Sequence, residues 1–131
     1  ETGSTDRQPG RGLRLDIGRQ LASLDAALAL ERLGGDQTLL SEIAGMFLED
    51  YPRQLAAIRE AVRSRDAQAL HHAAHALKGS VSYFCALAVV DAARRLEQMG
   101  RRGELGNVDD AFANLEAELA RLEPDLAALR S

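Results

Sequence analysis

Apolar residues recur along the chain at steps of three and four, which is the period of an α-helix with one buried face. The longest stripe consists of Leu40, Ile43, Phe47, Tyr51, Leu55, Ile58 and Val62. The most regular stripe consists of Val108, Phe112, Leu115, Leu119, Leu122, Leu126 and Leu129. Three shorter stripes are Ile17, Leu21, Leu24 and Leu28, then Leu70, Ala74, Leu77 and Val81, and then Leu87, Val90 and Leu96. The pattern predicts five helices and no strand.

Residues that favour helix ends separate these stripes. Gly34-Gly35 would end the first helix, since glycine adopts the left-handed conformation that often follows a helix. Asp36 and Asp66 are good N-caps for the second and third helices. The fourth helix would stop at Gly100 to Gly103.

Short connections between long amphipathic helices imply antiparallel neighbours. We therefore predict an all-α fold, an antiparallel up-down four-helix bundle with a short additional N-terminal helix. Pro52 should bend or locally break the second helix, and Pro124 should interrupt the last one. Residues 1–15 lack periodicity and are interpreted as a flexible linker or expression remnant, and residues 16–131 as the bundle domain.

Composition narrows the possible classes of protein. A chain of 131 residues with 46% hydrophobic residues is a single domain by length. There is no run of about 18 apolar residues that would span a membrane, and Cys85, the single cysteine, cannot form an internal disulfide. The net charge of −4 argues against nucleic-acid binding. These features predict a cytoplasmic domain without membrane contact.

His75 is the most informative residue. It falls outside the apolar stripe of the third predicted helix, so its ring should point to water. Lys78 and Gly79 lie one turn further along, where residues three and four apart are neighbours. Neutral imidazole is a nucleophile that forms covalent intermediates. A phosphoryl group brings roughly two negative charges, which Lys78 would offset, and Gly79 would leave room for it.

Other interpretations of these histidines remain open. A single exposed histidine usually has no role, and only its neighbours argue otherwise. His71 and His72 lie four and three residues before His75, and all three could bind a metal ion from one helix face. Since no acidic residue or cysteine lies near in sequence to complete the ligand shell, we predict no metal site.

The run His75-Ala76-Leu77-Lys78-Gly79-Ser80 resembles the core motif of histidine-containing phosphotransfer (HPt) domains of bacterial multistep phosphorelays. The resemblance continues in Leu33-Gly34-Gly35-Asp36, in Phe47–Pro52 and in Arg65–Leu70, and covers roughly residues 24–130. One departure is Cys85, which stands where the family commonly has glycine. Because cysteine tolerates a positive φ poorly, the end of the histidine helix is expected to differ.

The resemblance implies a phosphoryl carrier. It accepts phosphate from a receiver-domain aspartate and passes the phosphate to another receiver. Its partners would be response-regulator receiver domains, which bring the magnesium, so the domain would need no cofactor of its own. It would act as a monomer, either free or as the C-terminal module of a membrane-bound sensor kinase. The implied site residues are His75 as phosphoacceptor, Lys78 for charge support, Gly79 for access, and His71, His72 and Ser82 for partner docking.

Two other functions compete with the carrier. The dimerisation and phosphoacceptor domain of a sensor kinase is also helical and bears a histidine. That family resembles a pattern with an acidic residue directly after the histidine and a proline soon afterwards, whereas here Ala76 follows and the next proline is Pro124. A helical scaffold without chemistry is the other alternative. The chain has no glycine-rich ATP-binding region, so it is predicted to be a transfer intermediate and not a self-sufficient enzyme.

Overall fold

Four long helices pack around one core, and a short helix lies at one end. The computed structural model describes residues 24–130. Its helices are α1 (Ala26–Arg32), α2 (Gln37–Ser64), α3 (Ala67–Val81), α4 (Leu87–Arg102) and α5 (Val108–Arg130), with a 3-10 turn at Ser82–Phe84. Helix α3 packs against α2 and α4, and α5 completes the bundle by packing against the same two helices. The predicted all-α bundle with a short N-terminal helix is confirmed.

The apolar stripes meet in a single core, except at Leu87, which was predicted to be buried and is 72% exposed at the start of α4. The largest fully buried side chains are Leu24, Ile58, Leu70, Leu77, Val81, Phe84, Val89, Leu96, Val108, Leu115, Leu122 and Leu126. Burial of each leucine, isoleucine or phenylalanine contributes about 1.5–3 kcal/mol relative to exposure. The predicted buried face of α3 is confirmed at all four of its positions. The position that follows Ala74 is therefore directed away from the core.

Aspartates begin the first three helices. The Asp36 carboxylate accepts a hydrogen bond from the backbone N–H of Leu39 at 2.9 Å, and the Asp66 carboxylate accepts one from Ala69 at 3.0 Å. Each bond satisfies a backbone donor that the first turn of a helix leaves unpaired. Both predicted caps are confirmed. Gly34 and Gly35 adopt positive φ angles of 70° and 81° directly after α1, which confirms the predicted end of that helix.

The two prolines do not interrupt their helices. Helix α2 continues from Gln37 to Ser64 with Pro52 inside it, so the predicted local break is wrong. Helix α5 likewise continues through Pro124 to Arg130, so the predicted interruption is also wrong. Proline removes one hydrogen bond from a helix interior. Packing compensates for that loss, because the flanking Leu122 and Leu126 are both buried.

Gly100 lies inside α4 and does not end it. The helix runs to Arg102, and Gly103 ends it in the left-handed conformation with a φ of 69°. The predicted stop at Gly100 to Gly103 is confirmed at Gly103, the second of the two glycines. Gly100 is buried between α4 and α3. In the sequence alone, a glycine that lies in a contact between helices cannot be distinguished from a glycine that ends a helix.

Cys85 adopts the left-handed conformation that glycine usually takes. Its φ is 53°, and it follows the 3-10 turn that leads out of α3. A residue with a Cβ pays roughly 1–2 kcal/mol for this conformation. The neighbouring Phe84 and Ala86 are fully buried, and their packing offsets the cost. The predicted small buried side chain at Cys85 is confirmed, whereas the expectation that cysteine would change the end of the histidine helix is wrong, because Cys85 adopts the same left-handed conformation.

Some predictions concern residues outside the described part of the chain. They are the linker at residues 1–15, the domain boundary at residue 16, and the contribution of Ile17 and Leu21 to the first helix. Within residues 24–130, no helix combines the length and the apolar character needed to cross a membrane.

Candidate functional site

His75 projects from the middle of α3 into solvent. Its neighbours Ala74 and Leu77 are completely buried, which fixes the rotation of the helix about its axis. The His75 side chain is 66% exposed, so the prediction that its ring points to water is confirmed. A large partner can therefore reach the ring without any rearrangement of the bundle.

A buried carboxylate on the adjacent helix forms a hydrogen bond with the ring of His75. Glu97 of α4 lies 22 positions further along the chain, and its side chain is only 6% exposed. Its Oε2 atom lies 2.6 Å from Nδ1 of His75. Its Oε1 atom accepts a hydrogen bond from Nζ of Lys78, also at 2.6 Å. The carboxylate thus bridges the two side chains with separate oxygens.

The charge state of Glu97 determines the tautomer of His75. Burial on its own raises the pKa of Glu97. Hydrogen bonds from Lys78 and His75, together with the positive charge of Lys78, outweigh burial and hold that pKa below its ordinary value of 4.5. The group is therefore an ionised carboxylate at neutral pH, and such a group only accepts hydrogen bonds. Nδ1 of His75 must then carry the proton of the neutral ring and donate a hydrogen bond to Glu97. The lone pair on Nε2 is left free for chemistry.

The lowered pKa of Glu97 predicts a loss of stability in acid. A carboxyl group whose pKa is lower in the folded state than in the unfolded state contributes stability above its unfolded pKa, and this contribution is lost as the pH falls through the folded pKa. We expect the wild-type free energy of unfolding to fall more steeply below pH 4.5 than that of Glu97→Gln. Urea unfolding at a series of pH values measures both curves. Parallel curves for the two proteins between pH 6 and pH 3 would contradict the assignment.

Lys78 and Gly79 occupy different kinds of surroundings. The Lys78 side chain is 26% exposed and its ammonium group is bonded to Glu97, so it is not a free cation beside the ring. At Gly79, no atom beyond the adjacent residues and backbone of its own helix lies within 4 Å of the place a Cβ would take. The surface one turn beyond His75 is therefore open, as the access prediction requires.

Of the three residues predicted for partner docking, His71 and His72 precede His75 on α3, and Ser82 follows α3 in the 3-10 turn. His71 is half-buried, and its Nδ1 lies 3.4 Å from the backbone oxygen of Glu97. His72 is exposed, with its ring 5.2 Å from that of His71. Ser82 is exposed in the 3-10 turn and donates a hydrogen bond from its hydroxyl to the Gly79 carbonyl at 2.8 Å. Their docking roles stay predictions.

The histidines of α3 do not form a ligand shell. Among residues 24–130, no group of three or more histidine, cysteine, aspartate or glutamate side chains is arranged to hold a metal ion. The rings of His71 and His75 lie 6.4 Å apart. Nδ1 of His75 forms a hydrogen bond with Glu97. This contact keeps a proton on Nδ1, so that atom is not free to bind a metal ion.

Two surfaces of different character adjoin the site. One is a basic cleft between the start of α3 and the end of α4, lined by His71, His72, Arg101 and Arg102. The other is an apolar surface near the end of α3, formed by the exposed Met46 and Tyr83 and by a groove that also contains Ile43 and Ser80. The accessible ring of His75 lies between them along α3.

Sequence reasoning missed Glu97, although a signal was present. Val90, Ala93, Glu97 and Gly100 follow one another at steps of three and four on the buried face of α4. A carboxylate within such a stripe costs free energy unless it is paired. The stripe therefore pointed to a buried partner for Glu97, and only the packing of α4 on α3 identifies that partner.

The chain is similar to known proteins in sequence and in fold. The family model described as Hpt domain matches residues 42–125. The crystal structure of histidine-containing phosphotransfer protein B (HptB) from Pseudomonas aeruginosa PAO1 is similar to the chain, with a TM-score of 0.75 and 27% sequence identity. The similarity covers 82% of this chain and 94% of that one. No curated protein sequence shows significant similarity.

Proposed function

This chain belongs to the Hpt domain family, and we propose on that basis that His75 carries a phosphoryl group between receiver domains. Hpt domains are phosphotransfer domains of phosphorelays, and they interact with receiver domains. In the proposed direction, the chain accepts phosphate from an aspartyl phosphate of one receiver and passes it to an aspartate of another. The observation that carries the proposal is the 2.6 Å bond between His75 and the buried Glu97.

The proposed reaction uses the free lone pair of His75. Nε2 attacks phosphorus in line, an N–P bond forms, and the bond from phosphorus to the aspartyl oxygen breaks as the carboxylate of the receiver leaves. The ring gains positive charge while Nδ1 keeps its proton. The ionised Glu97, 2.6 Å from Nδ1, stabilises that charge as it develops. The same contacts serve the reverse step, in which a second carboxylate attacks phosphorus.

Lys78 has two proposed tasks. Its bond to Oε1 keeps Glu97 ionised in a buried position. A buried carboxylate without a cation would tend to take up a proton, and the tautomer of His75 would then no longer be fixed. The second task is attraction of the incoming phosphoryl group, for which the ammonium group would turn partly away from Glu97. Positioning and electrostatics account for most of the catalysis in such transfers.

The proposed docking surface consists of the basic cleft, the open surface at Gly79 and the apolar surface. A receiver that binds magnesium needs carboxylates around its metal ion, and an acidic rim of this kind complements Arg101 and Arg102. Contacts with His71, His72 and Ser82 would set the orientation. The proposed place of action is the cytoplasm, and the proposed active form is a monomer with magnesium supplied by the receiver.

A transfer assay tests the proposal. A panel of bacterial receiver domains is charged with radiolabelled acetyl phosphate, and each is then mixed with the chain. We expect the most active charged receiver to place acid-labile, alkali-stable label on the chain as soon as the two proteins are mixed. Addition of a second, unlabelled receiver should then remove that label from the chain. Label acquired from ATP only when a separate kinase ATP-binding domain is supplied, and from no receiver, would favour a kinase phosphoacceptor module. A folded chain that takes label from no receiver would favour a scaffold.

A further inference from the structure

Gly100 marks the place where the backbones of α3 and α4 touch. A Cβ built on Gly100 would lie 2.6 Å from the carbonyl oxygen of Ala67 and 2.6 Å from the backbone nitrogen of His71. Both neighbours are backbone atoms of α3, which cannot rotate away as a side chain can. Carbon atoms in contact prefer separations of about 3.5–4.0 Å. Any side chain at position 100 would therefore move the two helices apart by roughly 1 Å at this point.

The contact at Gly100 is one turn away from the bond between Glu97 and His75. Gly100 follows Glu97 by three residues on α4, and His71 precedes His75 by four residues on α3. The backbone oxygen of Glu97 also lies 3.4 Å from Nδ1 of His71. Both sides of the pair are thus joined to the backbone contact at Gly100 by about one turn of helix.

The bond between Glu97 and His75 has little tolerance for a change in helix spacing. Its length is 2.6 Å, and hydrogen bonds between a nitrogen and a carboxylate oxygen are ordinarily about 2.7–2.9 Å long. Glu97 is buried, so its side chain cannot swing out to follow a receding partner. His75 is exposed on its far side and would lose the contact to solvent.

We infer that Gly100 is a positioning residue of the phosphotransfer site, because its missing side chain sets the spacing of α3 and α4 at which Glu97 reaches His75. The inference rests on the proposed carrier function of His75. Gly100 is among the residues that line the basic cleft, but the effect inferred for it passes through Glu97 and not through a side-chain contact with the receiver. Alanine is intrinsically a better helix former than glycine, so the glycine at this buried position runs against the local helix preference.

The test uses Gly100→Ala and the matched helical control Gly45→Ala in the full chain. At Gly45, an added Cβ would meet only the flexible Arg130 side chain at an ordinary 3.6 Å. We expect Gly45→Ala to transfer phosphate at the wild-type rate. We expect Gly100→Ala to be slower by roughly 10- to 100-fold, the range that a misplacement of about 1 Å produces. The loss should be the same with a charged receiver and with the small donor phosphoramidate, because the defect lies in the ring and not in docking.

Two further measurements separate positioning from a general loss of structure. Nuclear magnetic resonance of the His75 ring should show a hydrogen-bonded Nδ1 proton in the wild type and in Gly45→Ala, and its loss in Gly100→Ala. In a double-mutant cycle, Gly100→Ala added to Glu97→Ala should cause no further loss of rate, since both changes remove the same contact. Far-UV circular dichroism reports the folded fraction, and Gly45→Ala is added as a stabiliser if that fraction is low.

Several results would overturn the inference while leaving the carrier function intact. They are a wild-type rate in Gly100→Ala, a retained Nδ1 proton signal, or additive losses in the cycle. A Gly100→Ala chain that stays unfolded even with Gly45→Ala would also overturn it, since Gly100 would then hold the fold and not adjust the site. A failure of the proposed function is distinct, because the wild type itself would take no label.

Discussion

Replacement of His75 by glutamine is expected to abolish phosphorylation of the chain by any charged receiver. Glutamine has no nucleophilic ring nitrogen, so no N–P bond can form at position 75. Its amide can still donate a hydrogen bond to Glu97, and Lys78 still balances the carboxylate. The loss of stability should therefore stay within about 0.5–1.5 kcal/mol, the worth of one ordinary hydrogen bond. Radiolabel transfer and a urea unfolding curve measure the two effects.

Two neighbouring histidines provide the matched controls for this experiment. His71 and His72 lie on the same helix, within one turn of His75. The variants His71→Gln and His72→Gln should still take up label, although a weaker docking contact can slow them. Acid-labile, alkali-stable phosphate on His75→Gln would show that a different histidine accepts the group. The phosphorylation site would then have to be reassigned to another histidine of α3.

The fold was predictable from the sequence because one signal dominates it. Apolar residues at steps of three and four identify the buried face of every long helix, and aspartates such as Asp36 and Asp66 mark where helices begin. The errors arose where a local rule met tertiary packing. Pro52 costs its helix a hydrogen bond, but α2 continues through it between α3 and α5. Local propensity is a weak prior against contacts of that extent.

The candidate site was predictable only on the helix that bears its motif. His75, Lys78 and Gly79 lie within five residues, so their relation follows from the geometry of a single helix. Glu97 is 22 residues away from His75, and its position depends on how α4 packs on α3. The packing in turn depends on Gly100, whose role cannot be distinguished from that of a helix-ending glycine without the second helix. Lys78 shows the consequence, because its bond to Glu97 gives it a task that the motif alone does not indicate.

Leucine at position 79 is expected to block transfer from a receiver while leaving the bundle folded. No atom beyond the adjacent residues and backbone of α3 lies within 4 Å of a Cβ at this position, so the leucine side chain would extend outward from the helix. Leucine is also a better helix former than glycine, and stability should hold or rise by up to about 1 kcal/mol. One turn from His75, the added side chain would occupy the space that a docked receiver and its phosphoryl group need.

The choice of donor separates this steric block from a chemical defect. Phosphoramidate is small enough to reach Nε2 of His75 past a leucine, so Gly79→Leu should be labelled by it at close to the wild-type rate. The rate of transfer from the receiver to Gly79→Leu should fall at least 100-fold, because a small displacement of the docked receiver misplaces the reacting atoms. Gly79→Ala should fall between the two, and Gly106→Leu, at another glycine with open surroundings, should behave as wild type. Normal transfer from a receiver to Gly79→Leu would mean that the partner approaches His75 from another side. Equal losses with both donors would mean that position 79 acts on the ring itself, as proposed here for Gly100.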